Sequence, residues 1–516
     1  MVDIDLAALP ARLAHAIEAQ ALRAPDAPAL REAGQGDIGY GALWQAIRDV
    51  AGRLRELGVR PGDRVMVVGE NCANLVALIF AAGLCDAWIV NVNARLSARE
   101  IETIRTHSGA RRVFYTADIS PDARAHGERE HAVPVPAPFG QWLAGPLNDD
   151  CVPEPVHADG ALQPAALIYT TGTTGQPKGV LLSHRTLLFV ATVSGRLRGL
   201  VPDDRAYGVL PIAHVYGLAS VMLGTLNAGA CLVLAPRFSA PALVRALRDD
   251  RLTILQGVPA MYARVLEMLG PDAAPLANSL RFAYAGGSPL TPSLKAAVER
   301  LLGVALHNGY GMTESGPTIS QTDLAAPRDD TSVGYPIPGV AVRVVDADGA
   351  DVPAGEPGEI WVRGPNVMLG YYRDPALTAA TMRPGGWLNT GDMGRLGPDG
   401  ALFIVGRSKE LIIRSGFNVY PLEVETVLNA HPGVTQSAVV GRACGDGNEE
   451  VIAFVEAAPQ HGAGAETLVA ELTTYLAGAL APYKCPARIV VLPALPAAAT
   501  GKILKGRLRD LAMGSL

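Results

Sequence analysis

The 516-residue chain has no stretch dense in lysine or arginine, and its net charge is −6. Binding a nucleic-acid backbone needs a concentrated positive surface, so nucleic acid is excluded as the main partner. Cysteine is scarce. The six thiols, Cys72, Cys85, Cys151, Cys231, Cys444 and Cys485, show no CxxC or other metal-ligand spacing. They read as the reduced cysteines of a cytoplasmic protein, and no zinc site is expected. The N-terminal MVDIDLAALPARLAHAIEAQ carries early aspartates and no continuous apolar core, which excludes a secretory signal. Long uncharged runs are nearly absent. Leu75 to Val90 is broken by Asp86, and Pro211 to Pro236 contains His214, Asn227 and three glycines. The second run reads as a buried helix followed by the strand ACLVLAP rather than a membrane span, because polar groups are costly in lipid.

A Walker loop is also missing. The stretch YTTGTTGQPKGV (169–180) is rich in glycine and threonine, but Gly172 and Gly175 stand too close together. Pro177 precedes Lys178, and Gly179 occupies the place of the magnesium-binding hydroxyl. Glycine-rich turns still form anion sites from successive backbone N–H groups, and the hydroxyls of Thr170, Thr171, Thr173 and Thr174 add donors. Lys178 supplies a mobile charge suited to polyphosphate. The same residues also suit a hairpin turn with a solvated lysine.

Hydrophobic residues make up 49% and charged residues 18% of the sequence, as in a well-packed soluble protein. The chain is too long for one core, so two or more domains are expected. Apolar strands alternate with helical stretches: RVMVVGE, NLVALIFAAGLCDA, RRVFYTA, then AALIYT, ACLVLAP, LTILQGV and LRFAYAG. That rhythm predicts layered, mixed α/β structure. AVRVVDADGADVPAGEPGEIWVRG predicts antiparallel strands turning at Asp348 and Gly349. Beyond GRSKE (406–410) the pattern becomes a compact α+β unit of helix, two strands, amphipathic helix and a last strand. The expected division is 1–407 and 408–516.

Five ordered stretches tie these parts together: YTTGTTGQPKG (169–179), GYGMTE (309–314), NTGDMG (389–394), GRSKELIIRSGFNVYPLEVE (406–425) and TGKILKGRLR (500–509). Over nearly the whole chain they resemble the adenylate-forming superfamily of acyl-CoA synthetases, luciferase-like enzymes and peptide-synthetase adenylation domains. The resemblance implies a large N-terminal domain of layered α/β subdomains with a β-barrel-like subdomain, followed by a small mobile C-terminal domain. It also implies ATP, Mg²⁺ and coenzyme A, and a carboxylic acid activated as its acyl-adenylate before transfer to the thiol.

Carried over residue by residue, the resemblance gives each stretch a task. The loop Thr170, Thr171, Gly172, Thr173, Thr174 and Lys178 would hold the departing phosphates. Tyr310 would face adenine, Thr313 would donate to the α-phosphate, and Glu314 would be the hard oxygen ligand for Mg²⁺. Asp392 would accept both ribose hydroxyls, with Arg407 as the second ribose contact. Lys502 would be the catalytic lysine that offsets charge at the α-phosphate. Its neighbours Lys505, Arg507 and Arg509 also suit a solvated basic helix end. Gly286 and Gly287 would let backbone approach the adenine and acyl group. His214, Tyr216, Gly309, Gly311 and Met312 would complete the acyl pocket, the glycines leaving room for a flat or extended group. Lys409 would be the hinge, Gly416 would leave space for the pantetheine arm, and Tyr483 would stack on the adenine of CoA.

IAHVYGLAS contains no aspartate for an α-amino group, and HNGYGMTE has no preceding arginine for a second carboxylate. An uncharged acid, aromatic or medium-chain aliphatic, is therefore expected. Cys485 stands where some relatives have arginine, which leaves a carrier-protein phosphopantetheine open as the acceptor beside CoA. An acyl-AMP ligase, a non-catalytic binding protein on the same scaffold and a homodimer also stay open.

Overall fold

A computed structural model describes residues 4–171, 177–270, 273–414, 417–445, 448–458, 461–462, 464–497 and 503–514. Among these, two large sheets carry the N-terminal part. One has eight strands in the order 370–371, 177–183, 164–171, 88–93, 64–69, 112–115, 140–144 and 133–137. The other has nine, running 335–336, 320–321, 306–310, 282–285, 254–257, 205–208, 231–234, 28–32 and 36–39. Their central neighbours are parallel, as at 64–69 with 88–93 and 282–285 with 306–310.

Side-chain alternation explains why such strands are apolar throughout. In Arg64–Gly69, Val65 and Val67 enter one core, while Met66 and Val68 enter a second core on the opposite face. A parallel sheet covered on both faces requires continuous hydrophobicity of this kind. Helix Ala73–Leu84 lies between layers, with Leu75, Leu78 and Phe80 each at most 3% exposed. Pro211–Pro236 folds as expected: a wide helical segment from Tyr216, a short α-helix to Asn227 and the strand Cys231–Leu234. Among the described residues no helix is long and apolar enough to cross a membrane.

The third N-terminal sheet has five antiparallel strands, 341–345, 358–363, 387–396 and 382–383 in order, with 402–407 also paired to 387–396. It is open and branched, and Asp348–Gly349 lies in a turn held by the bridge Val345–Asp351 and by the Asp346 amide donating to the Ala350 carbonyl at 2.9 Å. The partner strand begins later, at Gly358.

From Ile412 onward the chain packs around its own three-stranded sheet, 434–445, 448–457 and 488–492. Val439, Val451, Ala453 and Val455 face helices Pro421–Leu428 and Ala465–Ala479. Ala438, Val440, Ile452 and Phe454 face helix Lys505–Gly514 through Leu508 and Ala512. The last helix is therefore a packed layer with an apolar face, where the sequence also allowed a solvated basic end.

Candidate active site

A cavity of about 1560 Å³ opens between these parts, lined by Leu210, Val258, Gly287, Tyr310, Asp392 and Lys505 among others. Tyr310 ends the strand Leu306–Tyr310, whereas Asp392 and Arg407 sit directly opposite each other on paired antiparallel strands. Tyr310 Oη donates to Asp392 Oδ2 at 2.6 Å, and Arg407 Nε lies 3.2 Å from Asp392 Oδ1. Burial, followed by the charge of Asp392, pushes the Tyr310 phenol far above its ordinary pKa, so it remains a donor near neutrality. Burial works against the Arg407 cation, but Asp392 and Glu410 hold its pKa above the ordinary value. A fixed carboxylate thus faces the cavity with its orientation set from both sides. Such a group suits a diol, because each oxygen accepts more than one hydrogen bond.

Glu314 lies in the short turn Thr313–Ser315, where Thr313 and Glu314 are both buried. Tyr371 Oη donates to Glu314 Oε1 at 2.8 Å. Tyr371 belongs to the two-residue strand that pairs with Val180 and Leu181, so the loop hairpin and the Glu314 turn share one support. Lys178 Nζ lies 5.6 Å from the Tyr371 ring centroid, and Thr170 pairs with Lys178 across the hairpin. Nothing local in the sequence marks Tyr371 for this contact, since GYYRDP (370–375) has the composition of an ordinary turn. Among the described residues no group of three or more His, Cys, Asp or Glu side chains is placed to hold a metal. A single buried, oriented carboxylate nevertheless fits Mg²⁺, which usually keeps several waters and takes other oxygens from phosphates.

The acyl side is tighter than the sequence suggests. A Cβ on Gly309 would fall 1.6 Å from Tyr284 Oη, and one on Gly311 would fall 1.5 Å from the Pro317 carbonyl oxygen. Both glycines border the cavity. The room left by their missing side chains is already filled, so they permit close packing and do not open space for substrate. At Gly286 the situation differs, since a Cβ would lie 3.4 Å from the Tyr216 ring. Gly287 has φ +79°, a left-handed conformation that glycine adopts without strain. Tyr216 is buried beside them, and burial pushes its phenol far above the ordinary pKa. Met312 lines the cavity. His214 is exposed at the head of the helical segment, with its Nδ1 3.4 Å from the Tyr216 amide.

Lys409 is exposed in the short turn Ser408–Glu410, and Ser408 Oγ donates to the Gly391 carbonyl at 2.9 Å. Lys505 is the main surprise of this region. Its Nζ lies 2.9 Å from Glu410 Oε2 and 2.8 Å from Glu425 Oε1, with only 18% of its side chain exposed. Both carboxylates stand in GRSKELIIRSGFNVYPLEVE (406–425), and nothing local in the sequence links them to this lysine. Tyr483 already stacks on a protein ring, Phe417, with centroids 4.6 Å apart. Arg414 donates to the Cys485 carbonyl at 2.6 Å, which puts a guanidinium beside the position where an arginine was missed. Gly172, Thr173, Thr174, Gly416 and Lys502 lie outside the described residues, as does the side chain of Thr171.

Known proteins resemble this chain over most of its length. Residues 17–372 match the family model described as AMP-binding enzyme, and residues 423–502 match the AMP-binding enzyme C-terminal domain. A feruloyl-CoA synthase from an Amycolatopsis species is 36% identical over 499 residues, covering 95% of this chain and 97% of that protein. A fatty acid–[acyl-carrier-protein] ligase from Streptomyces coeruleorubidus is 35% identical over 497 residues, covering 94% and 93%. Among solved structures, o-succinylbenzoate coenzyme A synthetase from Bacillus subtilis with ATP and magnesium ion superposes with a TM-score of 0.81. It is 29% identical, covering 96% of this chain and 99% of that one.

Proposed function

The chain belongs to the AMP-binding enzyme family and is an ATP-dependent, AMP-forming acid–CoA ligase, and within that frame we propose which groups perform each half-reaction and which acid is taken. The observation that carries the reading is the clamp on Asp392, made by Tyr310 and Arg407 from three separate stretches of chain. Asp392 accepts the ribose hydroxyls, and the ring of Tyr310 lies against the base. Glu314, aimed by Tyr371, takes Mg²⁺, while Thr313 donates to the α-phosphate. Thr170 to Thr174 and Lys178 steady the phosphates that leave.

A carboxylate is a poor electrophile, and adenylation turns one of its oxygens into a leaving group. The attack brings two anions together, so a cation at the α-phosphate is needed, and Lys502 is that cation. The thiol must afterwards reach the same carbonyl. Residues 408–516 rotate about Lys409 to withdraw Lys502 and bring Gly416 and Tyr483 to the pantetheine path. Two observations support this division: a separate core beyond Ile412 and an exposed Lys409 in a short turn. The stacked pair Phe417–Tyr483 supplies an aromatic platform for the nucleotide end of CoA.

The acid has an uncharged tail, aromatic or medium-chain, lying between His214, Tyr216, Gly286 and Met312. The apolar lining from Leu210, Val258 and Met312 supports that choice. The carrier-protein ligase among the relatives favours a phosphopantetheine arm as a second acceptor. All six cysteines are free thiols, which supports a cytoplasmic setting. The test is pyrophosphate release with benzoates, cinnamates, straight-chain acids of increasing length and dicarboxylates, each with and without CoA. Release with no acid of the panel would refute the reading.

A further inference from the structure

Glu70, Asn71 and Cys72 join strand Arg64–Gly69 to helix Ala73–Leu84. Cys72 caps the helix, its Sγ accepting from the Leu75 amide at 3.4 Å, so the link is short and fixed. Asn71 is 1% exposed, and its side chain crosses to the other large sheet. Its Nδ2 donates to the carbonyls of Gly208 and Leu210, each at 2.9 Å, and its Oδ1 accepts from the Ile212 amide at 2.9 Å. Asn91, on strand Trp88–Asn93, adds a longer contact from Nδ2 to the Ile212 carbonyl at 3.5 Å. Strand Arg205–Gly208 ends where this grip begins. Past Gly208 the backbone has left the sheet, yet Leu210 and Ile212 are buried. Buried carbonyls and amides need partners, and an asparagine presents both a donor and an acceptor to them.

The gripped stretch is part of the acyl wall. Val209, Leu210 and Pro211 line the cavity, and the His214 amide donates to the Pro211 carbonyl at 2.9 Å. The helical segment that follows rests on the same backbone: a Cβ on Gly217 would fall 2.3 Å from the Pro211 carbonyl oxygen and 2.6 Å from that of Leu210. Tyr216, one residue earlier, packs beside Gly286. The groups placed on the nucleotide stand elsewhere, Tyr310 and Asp392 on their own strands and Glu314 in its turn. Resting on the acid–CoA ligase reading, we propose that Asn71 is a positioning residue for the acid. By holding 208–212 it sets where the wall carrying His214 and Tyr216 meets the substrate carboxylate. Apolar contact would suffice to pack the two layers together. Three directional bonds to one short stretch fix its position as well, and a displacement of about 1 Å in a substrate-holding element can cost about 10²-fold in rate.

The experiment measures both KM values for pyrophosphate release, using the acid of the panel above that the wild type turns over fastest. Asn71→Leu, close in volume and without hydrogen bonds, should raise KM for the acid by about 10- to 100-fold, as expected when buried backbone groups lose their partners. KM for ATP should change by less than about twofold, because the nucleotide groups stand on other elements. In Asn71→Asp the acceptor for the Ile212 amide remains, but a carboxylate faces two carbonyls. Burial favours its protonated form, which restores one donor, so its KM for the acid should approach the wild-type value as pH falls from about 8 to about 6. Asn71→Leu should show no such recovery. A role confined to stability would lower the thermal midpoint and leave both KM values alone, and that result, or equal changes in the two KM values, would overturn the proposal. Should neither variant fold, amide exchange on the unliganded wild type decides: residues 209–215 should be protected about as well as strand Arg205–Gly208, and free exchange there would overturn it. Absence of release from the wild type with every acid would instead bring down the ligase reading on which the proposal rests.

Discussion

Replacing Lys505 by methionine removes a cation that bridges Glu410, next to the proposed hinge residue, and Glu425 of helix Pro421–Leu428. The two carboxylate side chains are 23% and 10% exposed. Glu425 Oε1 also accepts from the Val439 amide at 2.7 Å, so it cannot swing out without breaking a backbone contact. Removing one partner of a buried pair costs about 3–5 kcal/mol, and the partial exposure of Glu410 places this case near the lower figure. At about 1.4 kcal/mol per tenfold, that is a loss of about 100-fold in protection against amide exchange. It should appear in 421–428, 465–479 and 505–514, with the strands 64–69 and 282–285 unchanged. The pH dependence gives a second reading. Burial raises the Glu410 pKa, but Lys505 first, and Arg407 and Arg509 after it, hold it below the ordinary value. Its stabilisation is therefore complete above the unfolded pKa of about 4.3 and is lost as pH falls through the folded value. Lys505 is held above its ordinary pKa despite burial, by Glu425 and Glu410. Its contribution is present below about pH 10.4 and is lost as pH rises through the folded value. In Lys505→Met the acid loss should flatten or reverse, and the combined Glu410→Gln, Glu425→Gln, Lys505→Met protein should recover most of the protection. A single variant with protection unchanged within about twofold would refute the reasoning.

Other expectations concern the reaction itself. Glu314→Gln should lower the adenylation rate about 10²-fold, and Tyr371→Phe about tenfold with a raised magnesium requirement, both read by pyrophosphate exchange. Equal activity for Tyr371→Phe at all magnesium concentrations would separate that tyrosine from the metal. Lys409→Pro should leave pyrophosphate exchange nearly intact and impair thioester formation, and equal losses in both would count against rotation. Lys502→Ala should lower adenylation by about 10² to 10³-fold while a supplied acyl-adenylate is still converted to thioester.

Most of the scaffold was legible because its signals are local. Strands such as RVMVVG announce themselves by uniform hydrophobicity, and the helix 292–302 by Thr291, proline at its first position and Gly303 at its end. Tyr310, Asp392 and Arg407, which the structure brings together, stand in short ordered motifs, each carrying a residue type that the proposed chemistry needs. What stayed hidden depends on long-range contact. Tyr371 reaches Glu314 across 57 positions, Arg198 reaches Gln256 across 58, and no periodicity marks either pair. Lys505 misled for a related reason: a basic residue among basic residues reads as solvated until two distant carboxylates are found against it. The glycines at 309 and 311 were recognised as necessary but for the wrong cause, since their neighbours Tyr284 and Pro317 are unknowable from the motif alone.

The placement of these groups follows from how parallel sheets end. Gly286 and Gly287 follow the strand Phe282–Ala285, and Tyr310 to Glu314 follow or close Leu306–Tyr310, its parallel neighbour. Carboxyl ends of neighbouring parallel strands form a crevice suited to ligands. A crevice alone cannot hold a ribose from its far side. The antiparallel sheet supplies that wall, because the register of Asp392 opposite Arg407 fixes a carboxylate and its counter-ion as one unit. In the proposed scheme the groups for base and ribose can be preorganised, since the AMP part of the nucleotide stays bound through both half-reactions. A cation at the α-phosphate cannot: transition-state stabilisation needs it close, and thiol entry needs it gone. In the scheme proposed above, a cation carried beyond the turn at Ser408–Glu410, on the part of the chain with its own core, would be present for one half-reaction and absent for the next. In that scheme the Lys505–Glu410 contact would tie the last helix to the turn about which the unit is proposed to rotate, so that the helix and the turn would move together.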